Sequence, residues 1–245
     1  MAQTLEALRA AGAAAPEDLA IHLAFARVLE AAALHHERDA RAMFDALRAA
    51  ATVLAPFAER MDAATDPISR LAVGTALLRP LSSAARMLDD APQRRAVWAR
   101  CWDAALRWAD ASRAGPDHAQ AVEWVVLLAF DLAVDELETS AGACLERCEE
   151  LRPHLEALAA ARGSDAVSLL HRSAFLRLWA DAWRRLGDLD EAQRALDECE
   201  RVLGQLDALR DADSGALSLQ RAALERDRAR LSASLTRRAA AATGP

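Results

Sequence analysis

Leu217, Leu224, Leu231 and Leu235 fall seven or four residues apart between polar neighbours, the spacing of one face of an α-helix. Leu176, Trp179 and Trp183 repeat that spacing upstream, with the small Ala180 beside them. Punctuation cuts this helical pattern into units. Helix-start signals recur at Pro16-Glu17-Asp18, Asp66-Pro67, Pro116-Asp117, Ser164-Asp165 and Asp213-Ser214. Their aspartates are 48, 51, 48 and 48 residues apart, which predicts helical hairpins of about 50 residues.

The pattern predicts a short leading helix over 4–13 and a first hairpin over 17–62 that turns at His35-His36. After the breaker Ala64-Thr65-Asp66-Pro67, one helix runs from Ser69 to Asp90, interrupted by Pro80. Another opens at Ala91-Pro92-Gln93 and ends at Ala114-Gly115-Pro116. A third hairpin spans 117–161 with a kink at Pro153, a fourth follows from Asp165, and a last helix covers 214–237. The fold class is therefore all-α: an α-solenoid of about four stacked hairpins with a C-terminal capping helix, a single domain over 1–238 and a disordered tail over 239–245.

The stretch Ala182-Trp183-Arg184-Arg185-Leu186-Gly187-Asp188-Leu189-Asp190-Glu191-Ala192 carries a turn between two helices. Gly187 is free to take the left-handed conformation that ends a helix, and Asp188 or Asp190 caps the next. Bulky Leu176, Trp179 and Trp183, small Ala180, this turn, and then Ala192, Leu196 and Cys199 resemble a tetratricopeptide repeat over residues 173–206. A shift of 51 residues takes Phe175 to Trp124, Trp179 to Leu128, Ala180 to Ala129 and Cys199 to Cys148, although Gly187 falls on Glu136. Glu37 to Phe44 resembles the start of a second helix, with His35 in the place of Gly187.

The resemblance implies elongated hairpins and a concave groove that holds a partner. Arg177, Asp181, Arg184 and Arg185 would face it from the fourth unit, and Val126 and Phe130 from the third. An apolar floor beside arginines suits a peptide with a hydrophobic anchor and a carboxylate. The expected function is a non-catalytic scaffold binding a protein or peptide partner. A regulator that senses a small molecule or peptide is the alternative, and an all-α enzyme a third.

Composition narrows the field further. All 30 basic residues are Arg, and Lys, Asn and Tyr are absent, as codon bias in a GC-rich bacterial genome would produce. A net charge of −7 argues against nucleic acid and anionic membranes. The apolar run Val125–Phe130 meets Asp131 too soon to span a bilayer, and the N-terminus lacks a basic start and apolar core, so the cytoplasm is expected.

Chemical motifs are sparse. His36-Glu37 lacks the second histidine of a zinc-protease helix because position 40 is Ala40, which leaves His35, His36 and Asp39 without a fourth ligand. Cys144 and Cys148 share a helical face but read as small core residues, as do Cys101 and Cys199. No Glu has a His three residues on, and no phosphate loop or nucleophile elbow is present. No metal or cofactor is expected, and the six Trp are assigned to interhelical packing.

Overall fold

The computed structural model describes residues 2–34, 39–163, 165–209 and 214–242. Among the described residues there are ten α-helices and no strand, and 87% of these residues are helical. The helices are α1 (Ala2–Ala14), α2 (Leu19–Leu34), α3 (Ala40–Glu59), α4 (Pro67–Arg86) and α5 (Ala91–Ala111). They continue with α6 (His118–Thr139), α7 (Ala141–Arg162), α8 (Ala166–Leu186), α9 (Leu189–Asp207) and α10 (Ser214–Ala242). The chain clusters into two compact units, Met1–Leu128 and Ala129–Pro245.

Short polar side chains begin most of these helices by accepting from backbone N–H groups that have no partner within the first turn. Asp39 accepts from the Ala42 amide at 3.0 Å, Asp66 from Ser69 at 2.9 Å, Asp165 from Ser168 at 2.8 Å and Asp188 from Glu191 at 3.0 Å. Pro67 follows Asp66 in the first turn, where its missing N–H is harmless. Asp117 departs from the pattern, because its carboxylate turns into the interior. The predicted His35-His36 turn, Ser164 and Asp213 lie outside the described residues.

Prolines do not break the helices they enter. Pro56, Pro80 and Pro153 lie inside α3, α4 and α7. The expected interruption at Pro80 is absent: α4 continues through it and buries the ring. Helix α10 runs to Ala242, beyond the expected end at 237, because Ala239–Ala242 carry no breaker.

In the first unit α1 packs on α2, α2 on α3, α3 on α4 and α4 on α5. Ala33, Leu47 and Ala84 join α2, α3 and α4 in one apolar cluster. Gly74 of α4 lies so close to α5 that a Cβ would stand 2.3 Å from the Trp108 ring. Asp117, Arg70 and Trp108 form a buried polar knot beside it.

In the second unit α7 packs on α8, α8 on α9, and α10 against both α8 and α9. The α8–α9 turn closes as a Schellman motif. Gly187, at φ 87°, donates to the Arg184 carbonyl at 3.2 Å, and Asp188 donates to that of Trp183 at 3.0 Å. Ala180, Ala192 and Cys199 are buried there and let the two backbones approach. Leu217, Leu224 and Leu231 of α10 join the same core, while Leu235 is exposed.

Candidate partner-binding site

Of the residues expected in a groove, Asp181, Arg184 and Arg185 come together on α8. The Asp181 carboxylate accepts from Arg184 Nε at 2.9 Å and from Arg185 Nε at 3.1 Å, while Arg185 also donates to the Leu137 carbonyl at 2.7 Å. Arg177 is held by α10, donating to Asp227 at 2.7 Å and Gln220 at 3.0 Å. Val126 is buried in the first unit and Phe130 is half-buried in the second. Each of these three arginines thus makes a charged contact within the second unit.

The opposite face of α8 opens into a cleft. Residues 172, 175, 176 and 179 recur at spacings of three and four, so Arg172, Phe175, Leu176 and Trp179 form one stripe. The stripe, α7 and α9 enclose about 540 Å³. Leu155, Phe175, Leu176, Trp179 and Ala195 make its floor. Phe175 and Trp179 meet in a tilted arrangement, centroids 5.2 Å apart, which suits the aromatic quadrupoles. Leu176 and Trp179 are only partly buried against the core, so they remain open to an occupant.

Charge lines the rim. The Arg152 guanidinium lies 4.5 Å over the centre of the Trp179 ring. Its nearest carboxylate is Glu149 at 3.7 Å, outside the cleft. Arg172 pairs with Glu198 at 2.8 Å, and Glu191 with Arg194 at 2.8 Å. Glu156, one helical turn beyond Arg152, has no ion pair or hydrogen bond to a described residue. No protein-family model, curated protein or solved structure matches this chain.

Among the described residues no group of three or more His, Cys, Asp and Glu gathers around a common point. His35 and His36 lie outside those residues, and Asp39 is spent as the cap of α3. Cys144 and Cys148 are fully buried. The Cys148 thiol is pushed up by its hydrogen bond with Cys144 and by burial, and burial raises Cys199 to about 11. Such thiols form thiolates poorly, the opposite of what a nucleophile or soft-metal ligand needs. Among the described residues no helix is long and apolar enough to cross a membrane.

Sequence reasoning assigned Trp179 to the core and passed over Arg152, Glu156, Arg172 and Glu198. The one local signal is the Phe175–Trp179 pair four residues apart, flanked by Arg172.

Proposed function

We propose that this chain is a tetratricopeptide-like stack of helical hairpins serving as a non-catalytic interaction scaffold, and that the α7–α9 cleft grips one segment of its partner. The helix order supports the architecture: four pairs, α2/α3, α4/α5, α6/α7 and α8/α9, follow α1 and precede a covering α10. The observation that carries the binding reading is the cleft's half-open aromatic floor inside a charged rim, the composition of a binding hot spot. All four cysteines are free, in keeping with a reducing cytoplasm.

Site-specific photo-crosslinking in expressing cells tests this. A photoreactive residue at Leu155 should capture a partner, and the same group at Leu219, exposed on α10, should not. Identical adducts at both positions, or none at Leu155, would refute the assignment. The cleft's volume also falls within the roughly 300–1,000 Å³ of small-molecule sites, which favours a ligand sensor as the second reading. Native mass spectrometry of the purified protein separates the two, because a sensor would retain a small-molecule adduct that Trp179→Ala loses.

A further inference from the structure

Resting on the partner-binding reading, we infer that the α7–α9 cleft receives a cationic side chain, arginine or lysine, of the partner segment, seated on the Trp179 face that Arg152 now covers. The rim holds three carboxylates, Glu156, Glu191 and Glu198, against two guanidiniums, Arg152 and Arg172. Arg172 is tied to Glu198 at 2.8 Å, so it offers little to an incoming anion. Arg152 is the weakly held one. Its side chain is 51% exposed, and its ion pair to Glu149 spans 3.7 Å between two exposed groups. Such an exposed pair holds a side chain only weakly.

The position of Arg152 identifies what the cleft accepts. A guanidinium already rests 4.5 Å from the Trp179 centroid, so the ring face is open to a cation and the surrounding walls accommodate its width. The internal arginine acts as a stand-in that a partner's side chain displaces. On leaving the ring, Arg152 remains beside Glu149, three residues earlier on the same helix. The newcomer's aliphatic stem packs on Leu155 and Leu176, and its charge is met by Glu156, which no described residue neutralises. An anionic anchor finds the reverse: an unpaired carboxylate and a committed arginine.

Titration with N-acetylarginine methylamide, read at the Trp179 indole N–H by nitrogen-15 NMR, tests the inference on the full chain. N-acetylglutamate methylamide and N-acetylleucine methylamide are the comparators. The arginine probe should shift the Trp179 signal, and the glutamate probe should not. Arg152→Ala should tighten the arginine probe by at least about threefold, because it removes an internal competitor from the ring. Glu156→Gln should weaken it by a similar factor without changing the circular-dichroism spectrum. Trp179→Leu should abolish binding, followed through the backbone amides of α8.

Preference for the glutamate probe, lost in Arg152→Ala, would overturn the inference and make Arg152 an anion receptor. Equal binding of all three probes would reduce the cleft to an apolar pocket. No binding to either the parent or Arg152→Ala would also reject it. None of these outcomes touches the crosslinking at Leu155, which stands or falls on the partner alone.

Discussion

Asp117 stands at the head of α6, yet its carboxylate serves residues far away in sequence. Arg70 grips it through Nε at 3.0 Å and a terminal nitrogen at 2.9 Å, and Trp108 Nε1 donates at 2.9 Å. Arg70 also donates to the Thr65 carbonyl, fastening the loop before α4. Burial alone would raise the Asp117 pKa, but the hydrogen bonds from Arg70 and Trp108 outweigh it and hold the group below the usual carboxylate range. A depressed folded-state pKa contributes stability that is present above the unfolded value, about 3.9, and lost as pH falls through the folded one. The first unit should therefore weaken below about pH 4, and Asp117→Asn should flatten that slope in urea titrations at stepped pH. At neutral pH the same variant should lose about 3–5 kcal/mol, since Arg70 stays charged and buried. Replacing both partners, Arg70→Met with Asp117→Leu, should restore most of it. Gly74→Ala should cost about 1–3 kcal/mol, because its methyl would strike the Trp108 ring. The sequence announces Asp117 as a helix start, and that much is local. Its partner 47 residues away leaves no local trace.

At the scale of elements, α8 and α9 show what a sequence discloses and what it hides. Gly187 and Asp188 are legible because a left-handed residue and a cap act within a few residues of themselves. The use of each α8 face is not. Arg177 reads as a solvent-facing cation until α10 brings Asp227 to within 2.7 Å, and Trp179 reads as core until α7 sets Arg152 over it. Two variants separate these roles. Ala192 is 1% exposed where α8 and α9 touch, so Ala192→Leu should lower stability by about 1–3 kcal/mol through overpacking. Arg177→Glu breaks a charged hydrogen bond between α8 and α10 and should cost about 1–3 kcal/mol. Hydrogen exchange locates that loss, with α10 amides accelerating most and those of α7 little changed. Uniform acceleration would mean that α10 is not a separate layer on α8 and α9.

For the whole molecule, the buried cysteines turn the stacked-hairpin reading into a measurement. Cys101 lies in the first compact unit, and Cys144, Cys148 and Cys199 lie in the second. All four are 0% exposed, so a thiol reagent reaches each one only when its surroundings open. Native protein should therefore label slowly at every site, and protein in denaturant quickly. In a stack each hairpin leans only on its neighbours, so a local defect speeds opening nearby and leaves distant repeats almost as they were. Asp117→Asn should accordingly accelerate labelling at Cys101 much more than at Cys199, and Ala192→Leu should do the reverse. Mass spectrometry of the labelled peptides gives the four rates separately. If either variant speeds all four cysteines equally, the chain opens as one cooperative body, and a quasi-linear array of helical hairpins is the wrong description of this protein.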